Sequence, residues 1–131
     1  MPATLLYAAL LALLFVALSV RTVRTRGKLH VSLGDGNQPA MTRAMRVQAN
    51  FAEYVPFAVL LMYMMERHTD SRAWVHVLGI VLLVARLCHA WGFGREPQIF
   101  QLRAAGTALT FLVLLGAALR LLWVWILSAL V

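Results

Sequence analysis

The feature that most limits the fold of this chain is its division into four long apolar runs that are joined by short polar segments. A helix needs about 20 mostly apolar residues to cross the ~30 Å hydrocarbon layer of a bilayer. Four such helices use nearly all of the 131 residues. The sequence therefore predicts an all-α membrane protein, a four-transmembrane-helix bundle that forms a single domain over residues 1–131. Its helices are expected at about residues 4–26, 40–67, 71–93 and 100–130.

The composition favours a bilayer over water as the solvent of this chain. Hydrophobic residues make up 62% of it and charged residues only 13%, whereas about a quarter of a soluble domain is usually charged. The net charge of +7 comes from residues that lie between the apolar runs. This placement argues against nucleic acid as a partner, which would need basic and aromatic residues interleaved on one surface. Cys88 is the only cysteine, so no intrachain disulfide is expected.

The distribution of lysine and arginine predicts the orientation in the membrane. The first 20 residues are uncharged and the basic residues follow them, whereas a signal peptide carries positive charge first. We therefore expect a retained first helix. Positive charge concentrates in the first and third connections, and excess positive charge stays in the cytoplasm. Both termini should then face away from the cytoplasm, and the polar helix ends should lie on the cytoplasmic side.

Three polar residues share one face of the second helix. Arg46, Asn50 and Glu53 are spaced i, i+4, i+7, which stacks them along one side. A charged group inside a membrane segment costs roughly 3 kcal/mol, so such groups usually point inward and find partners. One interpretation is an Arg46–Glu53 ion pair, bridged by Asn50, that serves packing only. The other is part of a ligand site, and in either case Glu53 is expected to pair with Arg46 or Arg86.

Further candidate residues lie where the other helices reach the same side of the membrane. Taken singly, each has a simple explanation as a topology charge, a snorkelling arginine or a buried neutral histidine. Taken together with Arg46, they place four guanidiniums against one buried acid, which favours an anionic ligand with several carboxylates and one amine. These candidates are Arg24 on the first helix, Arg86 and His89 on the third, and Arg103 at the start of the fourth.

The pattern resembles a known family. Arg46, Asn50, Glu53 and Pro56 follow a basic loop in the second helix, Ala85-Arg86-Leu87-Cys88-His89-Ala90-Trp91-Gly92-Phe93 ends the third, and Arg103 opens the fourth. These motifs resemble those of the membrane-associated proteins in eicosanoid and glutathione metabolism (MAPEG), in their bacterial branch. The likeness spans nearly the whole chain, and the second-helix motif is the more specific part.

The resemblance implies a homotrimer of left-handed four-helix bundles in a bacterial inner membrane, with glutathione bound as co-substrate between subunits. The implied glutathione-binding residues are Arg24, Arg46, Asn50, Glu53, Arg86 and His89. Arg103 is implied as the catalytic arginine that stabilises the thiolate. The implied activity is that of a glutathione transferase, or a glutathione peroxidase, on lipophilic substrates. Phe93 stands where several eukaryotic members have tyrosine, and Gln48 and Ala49 replace basic residues of the prostaglandin-synthesising members, which argues against eicosanoid synthesis.

Two other functions fit the sequence. A small four-helix proton-coupled multidrug transporter would need an acid that is free to titrate. A non-catalytic membrane protein could bind glutathione or anionic lipid head groups without turnover. No metal site is predicted, because the histidines share no ligand spacing with Cys88. Gly79, Gly106 and Gly116 are expected to permit close helix packing, and Arg120 has no assigned role.

Overall fold

The computed structural model describes residues 1–68 and 72–130, and these form four helices. Their bounds are α1 Ala3–Lys28, α2 Pro39–His68, α3 Arg72–Gly94 and α4 Phe100–Ala129. Each end differs from its predicted position by no more than two residues. The polar connection at residues 69–71, which includes the predicted start of the third helix at Ser71, lies outside the described residues.

Three of the four helices have the length and apolarity that a membrane span requires. These are α1, α3 and α4, with 26, 23 and 30 residues. The α2 helix also has 30 residues, but its first half carries Arg43, Arg46, Asn50 and Glu53. These polar residues make α2 less apolar than the other three helices. Its passage through the bilayer therefore stays a prediction.

The helices run alternately up and down, so that four polar helix ends meet at one end of the bundle. There the Arg21 guanidinium at the end of α1 donates to the carbonyl of Gly94 at the end of α3. Arg43 at the start of α2 forms an ion pair with Glu96, which precedes α4. We call this the basic end. The side of the membrane that it faces stays a prediction.

The bundle has a buried core and an apolar outer surface. Leu11, Met62, Val75, Leu82 and Val113 are each no more than 1% exposed and come from all four helices. Many large apolar side chains nevertheless point outward, including those of Val23, Phe57, Ile80, Leu112 and Trp125. A protein surrounded by water would gain by burying these groups. The surface therefore suits contact with lipid.

Two of the three glycines expected at helix contacts are found there. A Cβ at Gly79 would overlap the Tyr7 ring of α1. A Cβ at Gly106 would lie 2.5 Å from the carbonyl oxygen of Ala85, so α3 and α4 touch there through their backbones. At Gly116 the only close atom would be 3.8 Å away, an ordinary contact with Leu78. The prediction was wrong for Gly116, because α4 lies further from its neighbour at that level.

Glu66 lies in the last turn of α2 and caps the opposite end of the bundle. Its carboxylate accepts hydrogen bonds from the backbone N–H groups of Ala3 and Thr4, the latter at 2.9 Å. The first N–H groups of a helix have no partner inside it, and the helix dipole favours negative charge there. Glu66 therefore fixes the start of α1 against the end of α2.

Candidate functional site

A cavity of about 330 Å³ opens between α2, α3 and α4 near the basic end, and we call it the α2–α4 cavity. It contains five of the seven residues that the sequence singled out. Its lining comprises Arg46, Ala49, Asn50, Glu53, His89, Phe93, Arg103 and Thr107. The i, i+4, i+7 spacing on α2 thus brings Arg46, Asn50 and Glu53 to one cavity, and α3 and α4 supply the facing wall.

Arg86 lies behind this cavity and not in its lining. Its side chain is 1% exposed. One terminal nitrogen, Nη2, donates to Asn50 Oδ1 at 2.7 Å and to His89 Nδ1 at 3.2 Å. The other, Nη1, donates to Thr110 Oγ1 at 3.3 Å. Within residues 1–68 and 72–130, its Nε has no hydrogen-bond partner. Arg86 therefore supports the lining residues from within the bundle.

The contacts of Arg86 determine which hydrogen bonds Asn50 and His89 can offer. A guanidinium only donates, so the Asn50 oxygen and the His89 Nδ1 must both accept. The Asn50 amide group is then left as a donor, and His89 is a neutral imidazole with its proton on Nε2. With the guanidiniums of Arg46 and Arg103, the cavity is rich in donors, whereas the Thr107 hydroxyl donates to the carbonyl oxygen of Arg103 at 3.1 Å. The Glu53 carboxylate is its one acidic group.

Arg103 is held at the cavity by two contacts. Its guanidinium carbon lies 4.2 Å from the centre of the Phe93 ring, a cation–π contact. Its Nη1 lies 3.3 Å from the Gln98 side-chain oxygen. Phe93 lacks the hydroxyl of the eukaryotic tyrosine, but its ring supplies a surface for Arg103. The contact between Gln98 and Arg103 was not predicted from the sequence.

The expected ion pairs of Glu53 are not formed. In the part of the chain that the structure describes, the ion pair is between Arg43 and Glu96, and Glu53 pairs with neither Arg46 nor Arg86. The prediction was wrong because Arg86 is turned toward Asn50 inside the bundle, while Arg46 and Glu53 are exposed at the cavity rim. The Arg46–Glu53 ion pair, on which the packing-only interpretation depended, is therefore absent from the described residues. The Glu53 carboxylate is exposed and accessible to a ligand.

Arg24 is a predicted site residue that does not reach the cavity of the same chain. It is exposed near the end of α1 and does not line the cavity. By contrast, Thr107 lines the cavity and Thr110 contacts Arg86, and the sequence analysis missed both. A signal for them exists, because Arg103, Thr107 and Thr110 repeat the i, i+4, i+7 spacing of the α2 motif.

Comparisons with known proteins identify the family of the chain. The MAPEG family profile matches residues 4–123. "Inner membrane protein YecN" of Escherichia coli strain K12 is 40% identical over 118 residues, which cover 90% of this chain and 88% of YecN. "Uncharacterized protein sll1147" of Synechocystis is 30% identical over 121 residues, covering 90% of this chain and 87% of that protein. The family match extends over all four helices and every lining residue of the cavity, and the chain is a membrane protein of the MAPEG family.

Proposed function

We propose that this chain is an integral inner-membrane enzyme that binds glutathione in the α2–α4 cavity and joins it through its sulfur to lipophilic electrophiles. The observation that carries the proposal is the set of charges on one cavity. Arg46, Arg103 and the unpaired Glu53 line it together with neutral donors. Glutathione presents two carboxylates, one ammonium group and a thiol, so within a single chain one carboxylate, the ammonium group and the thiolate each have a charged partner of opposite sign.

Each lining residue has a distinct task in this proposal. Arg46 binds a carboxylate through the paired N–H groups of its guanidinium, and Glu53 accepts the ammonium group. The Asn50 amide and the His89 Nε2–H donate to the remaining oxygens. Arg103 faces the thiol, where its positive charge favours the thiolate over a thiol that otherwise titrates near pH 8.5. These contacts fix the sulfur close to lipid, where hydrophobic substrates dissolve.

Arg103 would act on the sulfur in either of two reactions. With an aryl halide, the thiolate forms a C–S bond and the halide leaves with its electron pair. With a lipid hydroperoxide, the thiolate attacks the terminal oxygen, an S–O bond forms to give the sulfenic acid, and the O–O bond breaks. The lipid leaves as an alkoxide that takes a proton from water to become the alcohol. The thiol of a second glutathione then displaces the sulfenic oxygen as water and forms the disulfide. Both reactions depend on a stabilised thiolate.

A second copy of the chain would complete the site. The cavity is open at the surface of a single chain, and Arg24 lies away from it. In a homotrimer with glutathione between subunits, as in the MAPEG pattern, Arg24 of one copy would approach the cavity of the next. It would add a further guanidinium for the second carboxylate. We place the site on the cytoplasmic side, where the positively charged connections are expected.

The test compares wild type with Arg103→Ala in detergent, using glutathione with an aryl halide and then with a lipid hydroperoxide. Loss of a charge that stabilises the reacting anion should lower kcat by about 10²–10³-fold. Arg67→Ala removes an exposed charge at the end of α2 farther from the basic end and is the matched control. If Arg103→Ala turns over like wild type while glutathione still binds, the assigned thiolate role is wrong. Saturable binding without turnover in wild type would indicate a binding protein.

The second candidate is a proton-coupled transporter of cationic drugs. The observation in its favour is that Glu53 has no ion pair with any residue in the described ranges, which leaves its carboxylate without a cationic partner. Against it stand Arg46 and Arg103 on the same cavity, since they would repel a cation. Proton-driven ethidium uptake in liposomes, with no glutathione binding by calorimetry, would favour the transporter.

A further inference from the structure

A second cavity lies on the face of the bundle between α1 and α3, away from the α2–α4 cavity. It has a volume of about 380 Å³, and we call it the α1/α3 groove. Its wall is apolar over most of its length, with Leu14, Leu18, Leu87 and Trp91. At the basic end it finishes in Arg21 and Arg95. Arg21 lies seven residues beyond Leu14 along α1, which makes the groove about 10 Å long.

Both arginines are held in position by the walls of the groove. The Arg21 guanidinium donates to the backbone carbonyl of Gly94. A Cβ at residue 94 would overlap that guanidinium, so the missing side chain of Gly94 makes room for it. The Arg95 guanidinium carbon lies 4.6 Å from the centre of the Trp91 ring, within the range of a cation–π contact. Two guanidiniums are thus fixed at the mouth of an apolar channel.

Neither arginine is neutralised by an acid. The nearest carboxylate in sequence is that of Glu96, and it pairs with Arg43. Among the residues in the described ranges, Arg21 and Arg95 form no ion pair. Arginine binds phosphate through two parallel N–H···O bonds. Basic pockets between membrane helices bind the head groups of anionic lipids, whose acyl chains are joined to the phosphate through the glycerol.

We propose that the α1/α3 groove binds one anionic phospholipid. Arg21 and Arg95 hold the phosphate, and the first part of an acyl chain lies along Leu14, Leu18 and Leu87. The groove complements such a lipid along its whole length, with positive charge at the end of the bundle and an apolar wall toward its middle. An arginine that only marks topology would extend freely to water, whereas Arg21 is half-buried and bonded across to α3.

The experiment measures binding of phosphatidylglycerol and of phosphatidylcholine with the same acyl chains, by native mass spectrometry of the detergent-solubilised protein. Wild type should bind phosphatidylglycerol at least ten-fold more tightly. Arg21→Gln and Arg95→Gln should each remove most of that preference. Lys28→Gln removes one charge at the same end but outside the groove, so it should keep the preference. Equal binding of the two lipids by wild type would overturn the proposal.

Two further measurements distinguish lipid binding in the groove from non-specific electrostatic attraction. Gly94→Ala leaves the net charge unchanged but displaces the Arg21 guanidinium, so it should weaken phosphatidylglycerol binding while circular dichroism shows an intact helical protein. Unchanged binding in folded Gly94→Ala, or an equal loss in Lys28→Gln, would show that the arginines act only as diffuse charge. Soluble glycerol phosphate should bind far more weakly than the lipid. Equal binding would show an anion site without a lipid groove.

Discussion

Replacement of Gly106 by alanine should separate α3 from α4 at the level of the α2–α4 cavity. The added Cβ would lie 2.5 Å from the Ala85 carbonyl oxygen and 2.7 Å from the His89 backbone nitrogen, against 3.4–4 Å for an ordinary contact. Because both obstructing atoms belong to backbone, no side-chain rotation relieves the overlap. The helices must move apart by about 1 Å, at an expected cost near 3 kcal/mol. The better helix propensity of alanine returns about 1 kcal/mol, so the net loss is about 2 kcal/mol.

Gly116→Ala is the matched control because it makes the same change on the same helix. Its Cβ would meet only the tip of Leu78 at 3.8 Å, so the variant should gain up to about 1 kcal/mol from helix propensity. The free energy of unfolding of both variants is measured by denaturant titration in mixed micelles. We expect Gly106→Ala to be about 3 kcal/mol less stable than Gly116→Ala. Equal stability of the two variants would refute the close backbone contact between α3 and α4.

Three smaller perturbations test other contacts. Glu66→Ala removes the carboxylate that caps α1 and should lower the free energy of unfolding by about 1–2 kcal/mol; no change in the same titration would contradict the cap. The Thr42 hydroxyl and the backbone N–H of Asn37 donate to Asp35 and hold the pKa of its carboxyl below the ordinary value, so Thr42→Val should raise that pKa in a carboxyl NMR titration. Ionised Asp35 stabilises the loop at neutral pH, and this contribution is lost as the pH falls through its folded pKa. Glu96→Gln breaks the pair with Arg43, but because the glutamate side chain is 73% exposed, the unfolding free energy should change by less than about 1 kcal/mol.

The helices and most of the cavity lining could be predicted from the sequence because both follow from periodicity. Four apolar runs determine the number and limits of the helices, and the i, i+4, i+7 spacing determines which α2 residues share a face. The same rule could have identified Thr107 and Thr110, which follow Arg103 at that spacing. They were not predicted because an uncharged threonine in an apolar helix can satisfy its hydroxyl within the helix and so does not by itself indicate a site.

The contacts between helices could not be predicted, because periodicity does not say which neighbour a side chain meets. Both Asn50 and Glu53 were available to Arg86 by sequence, and only the packing of α3 against α2 places Arg86 beside Asn50. The cap formed by Glu66 could not be predicted either, because it depends on the start of α1 packing beside the end of α2. Gly106 and Gly116 are alike in sequence context, yet only one lies where two backbones touch.

Calorimetric titration of the detergent-solubilised protein with glutathione tests directly whether the α2–α4 cavity binds this ligand. Wild type should bind one glutathione per site, whereas Glu53→Gln and Arg46→Ala should each weaken binding by at least ten-fold, since each removes one charged partner from the cavity. Arg67→Ala, which alters a charge away from the cavity, should bind like wild type. If wild type does not bind glutathione, or if Glu53→Gln and Arg46→Ala bind it unchanged, the α2–α4 cavity is not a glutathione site.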